Sequence, residues 1–272
     1  HRNGYDPSDI HRHDYYEIFL FRTGGGHHLI DFCQHPIKNE SLHFVAPGQV
    51  HQIARTGPSS GYVLMFSKPF YQYRRKEQDF LFRLPYFYRN GGTPAIEVAE
   101  QDFEKCEKIV SAMLDEFVGS NRLKRDILRS YLNVLLCQFQ HLFEGKQRTS
   151  DTLAPSSPES AQFYRFKIEL EKRYRDWKTV AEYAKSLAIS PRRLNDICKE
   201  YGGTTALKFI QGRILLEAKR LLGFSQLNIN QIALELGFDD AAHFSRFFRQ
   251  MEGTSPLAWR ADCTNWQKKC TN

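Results

Sequence analysis

Two hydrophobic rhythms divide this chain. Short runs at 16–21, 27–32, 41–46 and 62–66 are apolar or alternate apolar with polar residues, a period of two that predicts β-strands. From residue 100 the apolar positions recur every three or four residues instead. In 100–118, Phe103, Cys106, Val110, Met113 and Phe117 share one helical face; in 123–143, Leu128, Leu132, Leu135, Phe139 and Leu142 do the same. The second of these helices is apolar enough to pack both inward and against a partner chain. Between residues 145 and 160 the sequence GKQRTSDTLAPSSPES has no apolar period and places prolines among Ser and Thr, which predicts a linker. The expectation is an α+β chain of two domains: 1–144, a small β-barrel followed by two helices; 145–160, a linker; and 161–272, all helical.

Within the all-helical domain a single pattern occurs twice. A shift of 49 residues lays Val180, Tyr183, Ala184 and Leu187 on Ile229, Ile232, Ala233 and Leu236. A shift of 50 lays Leu194, Ile197, Lys199 and Gly203 on Phe244, Phe247, Arg249 and Gly253. The extra residue falls in the turns, Ala188 to Ser190 and Gly237 to Asp239, where an insertion costs least. Each copy reads as a helix-turn-helix, with small Ala184 and Ala233 where helices approach closely, Pro191 in a first turn and Gly237 in a bend. A long helix over 206–222, roughly 25 Å, joins the two. Phe238, Phe244, Phe247 and Phe248 read as core rather than as stacking platforms, because their spacing turns them inward.

Charge sharpens this picture. The chain holds 38 basic and 31 acidic residues, for a net charge of +7. Residues 1–160 carry 19 of each sign, so the whole excess lies in 161–272, as expected of a polyanion-binding surface. The six cysteines show no C-x-x-C spacing, and Cys33, Cys106, Cys137 and Cys198 sit in apolar patterns, which predicts buried, reduced thiols. No apolar run is long enough to span a bilayer, and no signal peptide is evident. The start at His1 rather than Met predicts a trimmed N-terminus.

Residues 232–240, IALELGFDD, followed by His243-Phe244-Ser245-Arg246-Phe247-Phe248-Arg249 and Gly253-Thr254-Ser255-Pro256, resemble the signature of the AraC/XylS family of bacterial transcription regulators. The likeness covers about residues 160–262. It implies two recognition helices that enter successive major grooves, with Arg192, Arg193, Asn195 and Asp196 facing DNA in the first unit and Ala241, Ala242, Ser245 and Arg246 in the second. Arg192 suits guanine and Asn195 adenine; Asp196 can accept from cytosine or orient a neighbouring arginine. The alanines can touch only thymine methyls, which leaves Arg246 as the better reader of the second helix, with Ser245 at phosphate.

Eight of the ten histidines lie in the first 51 residues. His11-x-His13-x3-Glu17, Gly24 and Pro47-Gly48-x2-His51 resemble the two motifs of the cupin superfamily, although Pro and Gly are adjacent here. The resemblance implies a cupin-like barrel in which His11, His13, Glu17 and His51 frame a pocket for an organic ligand, with no metal or cofactor expected. No nucleophile-base set or phosphate loop is present, since Gly24-Gly25-Gly26 reads as a turn, so no catalytic residue is expected. Together these readings imply a cytoplasmic, non-enzymatic, sequence-specific regulator, an activator responsive to a small-molecule effector. Its expected partners are double-stranded DNA, RNA polymerase and a second copy through the paired helices. The alternative is a metal-dependent cupin enzyme or metal sensor with an accessory DNA-binding domain.

Overall fold

Strands β1 (Tyr16–Thr23) and β4 (Ser41–Val45) are buried on both faces, apart from the last residues of β1, and the first of the chain's two compact units is built around them. The units are His1–Ala154 and Pro155–Asn272. The computed structural model describes residues 9–71, 80–88, 94–146 and 158–270. β2 (His27–Ile30), β3 (Cys33–Pro36) and β5 (His51–Ala54) form one antiparallel sheet in the order β3-β2-β5. With β6 (Ser60–Phe66) and β7 (Ala95–Glu97), β1 and β4 form another, in the order β6-β1-β4-β7. The predicted run at 27–32 stops at Ile30 because Asp31 takes a positive φ of 52° and turns the chain directly into β3.

Residue parity explains the double burial. Tyr16, Ile18, Leu20, Leu42 and Phe44 face a core shared with α1 (Lys68–Tyr71), α2 (Phe80–Arg83), α3 (Pro85–Tyr88), α4 (Glu100–Val118) and α5 (Lys124–Lys146). On the opposite face Phe19, Phe21 and Val45 pack on Ile30 and Ile53 of the smaller sheet. Burial of each such side chain contributes about 1.5–3 kcal/mol. The expected closed barrel is not formed: among the described residues no ladder joins an edge of one sheet to an edge of the other, and only an isolated bridge, His11 to His51, spans the seam. The architecture is two stacked open sheets with helices on the outer face of the larger one.

Helix α4 has the predicted bounds, with Glu100 and Asp102 in its first turn, where negative charge favours the helix dipole. α5 and α6 (Pro158–Arg173) extend into the expected linker, so residues 145–146 and 158–160 are helical, while 147–157 lie outside the described residues. Two thiols depart from expectation. Cys106 and Cys198 are buried, whereas Cys33, on the short edge strand β3, and Cys137, off the inward stripe of α5, are exposed.

The second unit contains α6, α7 (Val180–Ser186), α8 (Pro191–Gly202), α9 (Ala206–Phe224), α10 (Ile229–Glu235), α11 (Ala241–Glu252) and α12 (Pro256–Cys270). The internal repeat extends to the chemistry of the helix ends. Thr179 and Asn228 cap α7 and α10 through capping boxes completed by Glu182 and Gln231. Ser190 and Asp240 cap α8 and α11 by accepting from the N–H groups of Arg193 and His243. Both of those helices end on left-handed glycines, Gly203 and Gly253. The bend inside each unit also needs positive φ: Gly237 supplies it at 70°, while Ala188, its counterpart, is held at 55°.

These bends respond differently to substitution. A Cβ on Gly237 would lie 1.9 Å from the Arg175 carbonyl oxygen, so Gly237→Ala should lower stability by more than about 2 kcal/mol. Ala188→Gly relieves the left-handed strain while adding unfolded-state entropy, so its effect should stay within about 0.5 kcal/mol of zero. Urea unfolding of the full chain measures both, and similar losses for the two variants would contradict this account of the bends.

Candidate functional site

The helix caps orient two amphipathic helices. In α8, Leu194, Ile197 and Cys198 are buried, leaving Arg192, Arg193, Asp196 and Lys199 exposed. In α11, Phe244 and Phe248 are buried, leaving Ala242, His243, Arg246 and Arg249 exposed. Arg192 and Arg246 form no ion pair among the described residues, and Asp240, which could have held Arg246, instead caps α11. That backbone hydrogen bond from His243 holds the Asp240 carboxyl below its usual range.

Other sequence-predicted residues are engaged within the protein. Arg193 donates to Glu159 at 2.7 Å. The side-chain oxygen of Asn195 accepts from the Ala206 N–H at 3.1 Å, and its nitrogen donates to the Pro191 carbonyl at 3.2 Å, so this amide secures the start of α9. Ala241 packs against the core and Ser245 is half-buried. Lys199 and Arg249 are absent from the DNA-facing positions that the family resemblance implies, although they lie on the same outward strips as Arg192 and Arg246 and superpose in the repeat. Phe238, Phe244 and Phe248 are core residues, as their spacing predicts.

The two helices are disposed about α9, whose 19 residues give a length of about 28 Å. Arg213 on α9 binds both carboxylate oxygens of Glu171 on α6, at 2.9 and 3.0 Å, and reaches Glu217 at 3.1 Å. Arg220, also buried, adds a 3.3 Å bond to Glu217, and Arg175 reaches Glu235 on α10 at 3.0 Å. This network joins α6 to the central helix and, through Arg175, which also lies 4.0 Å from Glu217, joins α10 of the second unit to it.

The first unit holds a second site. His11, His13, Glu17 and His51 converge, one donor atom from each lying within 4.8 Å of the others. His11 and His13 precede β1, Glu17 lies in β1 and His51 opens β5, so the cluster spans both sheets. In each histidine Nδ1 faces a backbone carbonyl: Asp9 at 2.7 Å, Tyr15 at 2.8 Å and Gln49 at 3.3 Å. A carbonyl only accepts, so Nδ1 carries the proton, which turns Nε2 toward the cluster. Nε2 of His13 and of His51 each lie 3.0 Å from Glu17 Oε2, yet none of these three atoms has a partner in hydrogen-bond geometry.

Beside this cluster lies a pair that the sequence motifs did not mark. His28 and His43, fully buried between the sheets, stack at 5.3 Å with their Nδ1 atoms 3.2 Å apart. Phe19 and Phe21 meet them edge to face. Phe19 and Phe21 therefore face this layer, Tyr15 stacks on His13, and Tyr16, Phe44 and Phe66 pack under the helices.

The second unit is thus a DNA-binding domain built from two helix-turn-helix units. A family model described as a helix-turn-helix domain matches residues 183–262. The arabinose operon regulatory protein of Salmonella typhimurium is 32% identical over 84 residues, 31% of this chain and 30% of that protein, so less than a third of that relative is spanned. The transcriptional activator RhaR of Escherichia coli K12 is 22% identical over 259 residues, 93% of this chain and 88% of RhaR. The crystal structure of apo ToxT from Vibrio cholerae aligns with a TM-score of 0.40 at 16% identity, over 93% of this chain and 90% of ToxT. Over residues 183–262 the chain is similar to the helix-turn-helix domain of AraC-type transcription regulators, and along most of its length it is similar to RhaR. No helix among the described residues is long and apolar enough to cross a membrane.

The buried histidines make stability depend on pH. Burial lowers His43 from 6.5 to about 3 and His28 well below its usual value, so both stay neutral in the fold. The unfolded chain takes up these protons below about pH 6.5 and the folded one does not, so stability present above that pH is lost as pH falls, by up to about 1.4 kcal/mol per pH unit for each ring. Between pH 6.5 and 5, His43→Gln should make the decline in the first unit's urea midpoint shallower; an unchanged slope would rule His43 out as a source.

Proposed function

We propose that this chain is a sequence-specific, effector-responsive transcription activator in which residues 1–144 sense and dimerise and 161–272 bind the operator. The carrying observation is the pair of capped helices, α8 and α11, both packed on α9, whose outward strips present Arg192 and Arg246 with no ion pair among the described residues. Alignment with RhaR, an activator by name, across both units supports the wider reading. Arg192 and Arg246 read guanine edges in successive major grooves; Lys199, Arg249 and Ser245 take phosphates, and Arg193 joins them when released from Glu159. Asp196 accepts from cytosine or orients Arg192, and Ala242, with Ala241 behind it, offers contact only to a thymine methyl. Asn195 is not assigned a base, because reading adenine would break both of its internal hydrogen bonds.

The layer between the sheets, with His11, His13, Glu17 and His51 at one end, is the proposed effector site. Its ligand must bind the DNA-competent and incompetent states with different affinities. RNA polymerase is the proposed partner for activation and the cytoplasm the proposed location; no enzymatic role is assigned. Dimerisation is assigned to the outer side of α4, where Leu114, Phe117 and Val118 are exposed, Phe117 to 64%, rather than chiefly to α5.

Genomic fragments selected by the purified protein at two salt concentrations should yield a site spanning about two helical turns per protomer. On that site Arg246→Ala should reduce the ratio of specific to non-specific affinity by roughly 5- to 150-fold, and an unchanged ratio would remove Arg246 as a reader. Lys199→Ala should weaken all sequences alike and reduce the salt slope by about 1. Phe117→Asp should shift sedimentation toward monomer; an unaltered distribution would move the dimer interface elsewhere.

A further inference from the structure

The two helix-turn-helix units meet at a second place besides α9. Residues 174–178, between α6 and α7, belong to the first unit: the Lys178 N–H donates to Glu182 at 3.0 Å, beside the capping box that starts α7. The bend at Gly237 and Phe238 belongs to the second unit and follows α10. Three contacts of different kinds join these segments. Arg175 pairs with Glu235 on α10 at 3.0 Å. The Arg175 carbonyl oxygen lies so close to Gly237 that a Cβ there would approach it to 1.9 Å, so backbone meets backbone with no side chain between. Lys178 donates through Nζ to the carbonyls of Tyr174, at 2.9 Å, and of Arg175, and the same ammonium lies 5.6 Å from the centre of the Phe238 ring.

These contacts are unequal. The Arg175–Glu235 pair, with side chains 47% and 44% exposed, contributes little by itself. Lys178 is half-buried, and the carbonyls it binds follow the last turn of α6, where a cation also suits the helix dipole. Its backbone is thus fixed in the first unit while its ammonium lies against the second. At Gly237 the close approach permits no side chain, so the bend can seat on Arg175 in one position only. Both units also pack on α9, but none of the junction residues lies on that helix. Two bodies held on one rod can still turn about it; a second attachment outside the rod removes that freedom.

We infer that Arg175 and Lys178 are positioning residues that lock the second helix-turn-helix unit against the first, so that the chain accepts a single spacing between the DNA segments read by α8 and α11. In B-DNA one added base pair carries a segment about 3.4 Å along the axis and about 34° around it. Locked helices cannot follow both displacements, whereas units free to turn on α9 can. The inference rests on the reading of α8 and α11 as DNA-reading helices, and a measurement without DNA separates the two.

Two experiments on the full chain test the lock. Nitroxides carried on genetically encoded ketone residues in place of exposed Glu200 and Gln250, equivalent positions of α8 and α11 in the repeat, report how the units are placed in the absence of DNA. The parent should give one narrow distance distribution and the double variant Lys178→Met/Glu235→Gln a broader one. That variant keeps the lysine stem and removes only the polar attachments, and circular dichroism checks its fold. On the selected operator, one base pair inserted between the two segments should cost the parent roughly tenfold or more in affinity, and the double variant about threefold or less. The readout is the ratio of affinities for the unaltered and inserted sites, which a general loss of charge or stability does not move. Glu235→Gln alone, the mildest change, should shift this ratio in the same direction. An unchanged distance distribution or an unchanged ratio in the double variant, or a parent that binds both spacings equally well, overturns the proposal. If the chain selects no defined site, the operator reading fails and the distance distributions alone decide the lock.

Discussion

The buried ion network on α9 is the constraint on which the DNA-binding unit depends. Arg213, Glu217 and Arg220 sit where an uncompensated charge would be costly; Arg213 and Arg220 meet Glu217 within α9, and Arg213 meets Glu171 only when α6 and α9 keep their present positions. Removing one member of such a buried set costs about 3–5 kcal/mol, more than the loss of most single apolar contacts. Apolar packing alone tolerates sliding of one helix on another. Arg213, whose Nε donates to both oxygens of Glu171 while Nη1 donates to Glu217, does not, so the network fixes the register of α9 on α6.

The first unit solves a different problem with similar means. Its larger sheet is buried on both faces, which requires a second layer, yet that layer contains His28, His43, His51 and Glu17 as well as Phe19 and Ile53. Stacking, edge-on phenyl rings and carbonyl anchors hold these rings, but several inward nitrogens lack a partner. Polar atoms left unsatisfied inside a protein are expensive and cluster where something else is bound. The core beneath the helices, by contrast, places its few hydroxyls well: Tyr86 donates to the Leu136 carbonyl and Tyr71 to Asn133. The buried histidines and Glu17 thus lie on one face of β1 and β4, and the core beneath the helices on the other.

Much of this was legible in the chain. The bounds of α4, the long helix and the paired units follow from periodicity and from residues with a narrow range of roles, such as Pro191 and Gly237. The quartet His11, His13, Glu17 and His51 was legible only through its resemblance to the cupin motifs. Barrel closure was not, since edge pairing depends on where separate strands end in space. Strands β3, β5 and β7 were missed because each is only three or four residues long and carries little pattern. His28 and His43 were missed because a short apolar strand reads alike on both faces, and parity alone cannot say which is inward when both are buried.

The sequence by itself determined the two-unit plan, the repeated helix-turn-helix and its caps, and which residue types stand on the outward strips of α8 and α11, because these depend on interactions between residues a few positions apart. The tertiary structure decided which of those residues are available. Asn195 is committed to the Ala206 N–H and Arg193 to Glu159, while Arg192 and Arg246 are left facing outward. It also decided that the sheets stack open and that four donors meet across their seam. Such outcomes rest on contacts between segments far apart in the chain, whose geometry is set only when every layer is packed.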